Sequence, residues 1–190
     1  MKKRLEDIVN IQTGIYRKPG FIGDTYYLQI KHIDNSGMLR ITNDLTKDVL
    51  LDEKSRKHLL SKGNILFAAK GSRNIAYTFN NEVEPAIAST MFFILSLKQQ
   101  NDNITIPEYI SWFINTPSTQ GWLKARAKGS GIPSISKSVL EELEISIPDL
   151  QTQKTILQIG QLRNTEKELK QQIEIFREKQ IQQQISNAIK

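Results

Sequence analysis

Cysteine is absent from the sequence. Its absence excludes disulfides, thiolate nucleophiles and cysteine metal sites, and a reducing cytoplasm is the simplest setting. Histidine is nearly as scarce. His32 and His58 are the two present, one in a strand-like and one in a helix-like segment, without metal-ligand spacing. His32 is expected near a strand edge and His58 on a solvated helix face. No apolar run approaches the roughly 18 residues that a membrane-spanning helix needs. Glu6 and Asp7 interrupt the basic start MKKRLEDIVNIQTG before any signal-type apolar core can form. KGSRN and GSG contain glycine, but neither has the GxxxxGKS/T or GxGxxG spacing of a nucleotide site. The carboxylate pairs Asp52-Glu53 and Glu141-Glu142 read as helix starts, where negative charge complements the helix dipole. No catalytic residue, metal or cofactor is expected, and the chain reads as a non-enzyme.

What is present is an ordinary globular composition with a surplus of positive charge. Of 190 residues, 38% are hydrophobic and 24% charged, enough to bury one good core and too apolar for a disordered chain. A formal net charge of +6 favours an anionic partner, nucleic acid first, because basic side chains release condensed counterions when they meet phosphates.

Residues 1 to 150 read as a mixed α+β domain. KRLEDIVNIQTG predicts a short helix leading into a strand that Gly14 breaks. TYYLQIKHI predicts a strand with Tyr27, Gln29 and Lys31 on one side and Leu28 and Ile30 on the other. Asn35-Ser36-Gly37 marks a turn, and DEKSRKHLLSKG, from Asp52 to Gly63, predicts a helix. NILFAAKG and IAYTF form a hairpin-like unit connected through KGSRN. EPAIASTMFFILSL is a further strand region interrupted at Pro85. A helix is predicted from Pro107, checked near Pro117 and resumed to Lys128. VLEELEISIPDL gives a short helix and a strand at Glu144 to Ile147.

The composition changes at Gln151. From there the chain has no proline, one glycine and many Gln, Glu, Lys and Arg. Ile156, Ile159, Leu162, Leu169, Ile173 and Phe176 recur three, four or seven apart, and Ile181, Ile185 and Ile189 continue at four. That is one apolar stripe on a helix on the order of 50 Å long at about 1.5 Å per residue. A stripe of this length needs a second helix, with Ile159, Leu162, Leu169, Ile173 and Phe176 as the expected interface.

Three loop-like segments concentrate basic and amide residues: YRKPG, KGSRN and WLKARAKGSG. Lysine and arginine hold phosphates by charge, while arginine and asparagine also match base edges in the major groove. The expected DNA contacts are Arg17, Lys18, Lys70, Arg73, Asn74, Lys124, Arg126 and Lys128, with Arg73 and Asn74 as base readers. Gly71, Ser72, Gly129 and Ser130 would let backbone approach a phosphate closely. The alternative is a non-catalytic assembly adaptor that uses the C-terminal helix to bind a protein partner.

The order of these segments resembles the specificity subunit of type I restriction–modification systems. KRLEDIVNIQTG is similar to that family's opening, LSKGNILFAAKG to its L-x-x-G-D-I-L strand with Asn64 in the aspartate position, and PEYISWFINTP to its mid-domain helix. GIPSISKSVLEELEISIPDLQTQKTI resembles the family's handover into a long helix, with Ser134 in place of a frequent glutamine, Asp149 in place of the second proline, and Thr152 in place of glutamate before Gln153. The resemblance covers essentially the whole chain. It implies a half-length form with one target recognition domain at 1–150 and one conserved helix at 151–190. The domain would read one half of a bipartite site on double-stranded DNA. The helix would pair antiparallel, as a coiled coil, set the spacing, and dock the adenine methyltransferase (modification) subunit. Partners carrying methylation and, in the full complex, restriction would perform the chemistry. The chain would form a homodimer or pair with another specificity subunit.

Overall fold

The computed structural model describes residues 1–190 apart from 21, 35, 36, 72, 102, 130 and 190, and apart from the side chain of Lys54. Ser72 and Ser130, expected at close backbone approaches, and Asn35 and Ser36 of the predicted turn, lie outside the described residues. The chain divides into two compact units, Met1–Gln153 and Lys154–Lys190.

The first unit begins with β1 (Lys2–Arg4), a single helical turn α1 (Leu5–Ile8) and β2 (Val9–Thr13). Then come β3 (Thr25–Leu28), β4 (Lys47–Val49), α2 (Glu53–Arg56), β5 (Ile65–Ala68), β6 (Ala76–Thr78), β7 (Ala86–Ala88) and β8 (Phe92–Leu97). Four strands make an antiparallel sheet in the order β2-β8-β5-β6. Three more make a second sheet, β4-β3-β7, in which β3 and β7 run parallel with Tyr27 opposite Ile87. The main core contains Leu66, Ala68, Phe92 and Ile94 of the first sheet together with Leu28, Ala86 and Ala88 of the second. All four residues of β5 are buried, as a strand covered on both faces requires. Helix α3 (Pro107–Ile114) packs against β5 and β6 and buries Tyr109, Ile110 and Ile114.

Helix α3 stops at Asn115 because Thr116 precedes Pro117 and is held extended, and the Asn115 side chain serves the neighbouring strand. Its Oδ1 accepts from the Ala76 N–H at 2.9 Å and its Nδ2 donates to the Ala76 carbonyl at 2.7 Å, so an edge-strand residue is satisfied by one amide. Helix α4 (Pro117–Lys124) follows, then α5 (Lys137–Glu141) and β9 (Glu144–Ser146), which pairs with β1.

Several predicted elements come out shorter. The helix expected from Asp52 to Gly63 is the single turn α2, because Leu59 bridges Ile87 and the Leu60 N–H donates to Ala86, both in strand-like fashion. The strand TYYLQIKHI ends at Leu28 and passes into a 3-10 turn at Ile30–His32; within it Tyr27 and Leu28 are both buried, in separate apolar clusters, and the alternation fails. The helix expected to resume to Lys128 ends at Lys124. Asp52 and Glu53 start α2 as expected, and Asp52 also caps it, accepting from the Ser55 N–H at 2.8 Å. Glu141 and Glu142, however, sit at the end of α5; Ser136 starts it, accepting from the Val139 N–H.

His32 is buried at 4% exposure rather than lying at a strand edge. Its Nδ1 accepts the Gln29 N–H at 3.1 Å, and its Nε2 lies 3.8 Å from Asp44, whose carboxyl the Thr42 hydroxyl and Lys31 hold down to about 2. Burial, then the Lys31 charge, pushes the His32 pKa below its ordinary 6.5. The folded protein therefore binds fewer protons here than the unfolded chain, so stability is full above pH 6.5 and falls as pH drops below it. Thermal unfolding followed between pH 7.5 and 5 should show this loss, and His32→Asn, which keeps an acceptor for Gln29, should flatten it.

The second unit continues α6 (Leu150–Ala188), a helix of 39 residues. Ile159, Leu162, Leu169, Ile173 and Phe176 are 50–71% exposed on it. Among the described residues no helix is long and apolar enough to cross a membrane.

Candidate nucleic-acid interface

Sheet topology decides where the basic segments go. Strands β2 and β5 both run antiparallel to β8, with Thr13 opposite Phe93 and Ala68 opposite Phe92. The ends of β2 and β5 therefore flank the start of β8, about 10 Å apart at two strand spacings. The segment leaving β2 carries Arg17 and Lys18; the one leaving β5 carries Lys70 and Arg73. Two of the three basic segments thus emerge at one end of the same sheet.

Gly14 is the first residue beyond β2, and a Cβ there would lie 2.1 Å from the Ser89 carbonyl oxygen. Its N–H donates to Phe92, and the next residue, Ile15, donates to Ala88. Only glycine lets the chain close against that turn. Gly14→Ala is expected to cost about 3 kcal/mol of stability through forced backbone displacement, measurable by urea unfolding.

The third segment folds back onto the second. Lys128 and Ser134 exchange backbone hydrogen bonds at 3.0 and 2.8 Å. Ser134 also bridges Lys70, the Gly71 N–H donates to Pro133 at 2.9 Å, and the Ile135 N–H donates to Ala69 at 2.8 Å. Ile135 is buried and anchors the base of this turn. Gly71 and Gly129 adopt φ of +109° and +114°, a region that glycine occupies without strain. Lys70, Arg73 and Lys128 are exposed around the junction.

The individual side chains differ in what they have available. Lys18 is exposed. Arg17 donates to Asp52 at 3.0 Å and to the Ser55 hydroxyl, tying the loop after β2 to α2. The Ser55 hydroxyl, followed by lesser contributions including Arg17, holds the Asp52 carboxyl below the usual range. Arg126 stacks over the Trp122 ring at 4.1 Å, with Lys124 exposed at the end of α4. Asn74 departs from expectation. Its side chain is turned inward at 8% exposure and donates to the Ala68 carbonyl at 3.0 Å. The tight return after β5 needs that bond. Gln120 supports the same loop, donating to the carbonyls of Asn74 and Ile114 at 2.8 Å. Gln120 and Asn115 are not apparent from the sequence, because a polar residue on or at the end of a helix carries no mark of the backbone it will serve.

A second basic cluster lies at the other end of the four-stranded sheet. Lys2, Lys3, Arg4 and Lys98 line a shallow cavity with Asp7 and Glu144. Three of these cations are occupied: Lys3 donates to Asn101, Lys98 to the Glu6 carbonyl, and Arg4 pairs with Glu6. Among the described residues no group of three or more His, Cys, Asp or Glu is placed to hold a metal ion.

Comparison with known proteins adds to this picture. The type I restriction modification DNA specificity domain family matches residues 1–175. The HindI type I restriction enzyme specificity subunit of Haemophilus influenzae is 29% identical over 106 residues, which are 54% of this chain and 22% of that protein. Among solved structures, the HsdS subunit from Thermoanaerobacter tengcongensis superposes with a TM-score of 0.62 at 17% identity, covering 89% of this chain and 43% of that one. The S subunit of a type I restriction-modification system from M. genitalium gives 0.58 at 17% identity, covering 87% and 39%. These likenesses establish the fold, a mixed α+β unit with a long C-terminal helix. The chain spans less than half the length of each of these relatives.

Proposed function

Because the chain belongs to the type I restriction modification DNA specificity family, we propose that it recognises a DNA sequence within a restriction–modification complex. Residues 1–150 act as a target recognition domain that reads one half of a split site on double-stranded DNA. Residues 151–190 act as a spacer helix that pairs antiparallel with a counterpart, fixes the distance between two readers, and docks an adenine-methylating modification subunit. A restriction subunit joins the same complex. The chain performs no chemistry of its own. Two copies related by a two-fold axis would read a palindromic split site, since symmetric protein demands symmetric DNA.

The observation that carries this reading is the gathering of the loops after β2 and β5, with the turn at 128–134, at one end of a sheet. Within that set, Lys18, Lys70, Lys124 and Lys128 are phosphate contacts and Arg73 reads a base. Arg17 and Asn74, whose side chains are engaged within the fold, shape the loops that present the others, and Arg126 offers its exposed guanidinium from the Trp122 face.

Mobility shifts on a randomised duplex library test the assignment. Lys70→Ala should weaken all sequences alike and reduce the salt slope by about 1. Arg73→Ala should cost about 1–3 kcal/mol and relax one position of the site. Unchanged affinity and preference in both variants would remove this surface from the interface.

A further inference from the structure

The turn joining Lys128 to Ser134 carries a feature that phosphate binding does not use. Ile132 is 66% exposed, and Pro133 beside it is exposed as well. The turn that presents them is tied to the rest of the fold. Its base is closed by the reciprocal Lys128–Ser134 bonds, fastened to the Gly71 N–H through Pro133, and plugged into the core by Ile135. Its conformation demands glycine at 129, where φ is +114° and a Cβ would lie 2.7 Å from the Ile132 carbonyl oxygen. The turn therefore carries a branched apolar side chain in water, and its base is bridged through Ser134 to the exposed residues Lys70 and Lys128.

Apolar residues in such a setting have a known use on DNA. Proteins that bend the duplex insert isoleucine, leucine, methionine, phenylalanine or proline between base steps from the minor groove, while flanking cations hold the phosphates. The minor groove, about 6 Å wide, excludes a helix but admits the tip of a turn. An apolar protein partner docking on this turn would also have to cover the exposed Lys70 and Lys128 at its base, which favours the polyanion as occupant.

We propose that Ile132, backed by Pro133, is a wedge that enters the minor groove, partly unstacks one base step and bends the bound duplex. The proposal rests on the reading of this unit as a DNA-recognition domain. It makes Ile132 a specificity residue that forms no hydrogen bond, acting through the ease with which a step deforms. Flexible pyrimidine–purine steps are the ones it would select.

The test uses the full chain and a duplex enriched by it from a random library, with the bend read by energy transfer between dyes at the duplex ends. The wild type should bend that duplex. Ile132→Ala should lose the bend and bind the enriched duplex about tenfold more weakly, the scale of one mismatched base pair. Its binding to unrelated duplex at low salt and its thermal unfolding should stay as in the wild type, because Ile132 packs against little of the fold. Ile132→Leu, another wedge side chain, should keep the bend. If Ile132→Ala binds and bends as the wild type does, the wedge is wrong while sequence recognition stands. If the wild type enriches no duplex at all, the recognition reading fails and the wedge fails with it.

Discussion

Replacing Gln153 by alanine is expected to cost about 3–4 kcal/mol of stability, a large loss for one polar residue. The side chain is fully buried and its amide is saturated. Oε1 accepts from the Thr105 hydroxyl at 3.1 Å and the Ile106 N–H at 3.2 Å, while Nε2 donates to the carbonyls of Ile104 at 2.7 Å and Pro148 at 2.8 Å. These bonds hold the first turn of α6 to the segment entering α3. Alanine would strand two donors and two acceptors without water, and each stranded group costs about 1–3 kcal/mol before relaxation. Asp149→Ala offers the contrast. Asp149 caps α6, accepting from the Thr152 N–H at 2.9 Å and its hydroxyl at 2.7 Å, but it does so in solvent. That loss should be about 1 kcal/mol. Thermal unfolding separates the two, since in a chain of this size each kcal/mol moves the midpoint by roughly 2–4 °C. A Gln153→Ala midpoint within about 3 °C of wild type would contradict the account.

The second large effect concerns association. Ile173→Lys combined with Phe176→Lys is expected to abolish self-pairing of α6 while leaving the unfolding of the first unit unchanged. Both side chains are at least half exposed, so the fold loses nothing by the exchange. A paired helix would bury them, at about 1.5–3 kcal/mol each. Their joint loss, with lysines placed on the seam, should weaken association by at least about a hundredfold. Sedimentation equilibrium reads this directly. A wild-type chain that stays monomeric at tens of micromolar would show that the seam takes another partner.

Legibility in the sequence followed how local the cause was. The long helix was readable because its signal repeats: apolar spacing from Ile156 to Phe176 needs nothing outside the segment. The hairpin of β5 and β6 was readable for the same reason, as was the helix start at Asp52-Glu53. Leu59 and Leu60 were misleading, because they look helical until β7 is present to pair with them. Tyr27 and Leu28 defeated the alternation rule because β3 lies between β4 and β7 and is covered on both faces.

The candidate site divides in the same way. Basic loop residues were visible as composition, but their assembly depends on β2 and β5 sharing β8, a long-range pairing. The inward turn of Asn74 and the service of Gln120 and Asn115 to backbone groups depend on geometry that spacing does not encode. Asp149 and Thr152 depart from the family pattern as it was read in the sequence. The structure gives them a role together, Asp149 as acceptor and Thr152 as donor of one helix cap.

The most direct test of the whole account is enrichment of duplexes from a random library by the full chain, with affinity then measured across a salt series. Recognition by this unit predicts one short pattern, recurring as an inverted repeat at a fixed separation, bound with a log K that falls linearly as log salt rises. Recovery of no pattern, with binding absent or indifferent to salt, would contradict it.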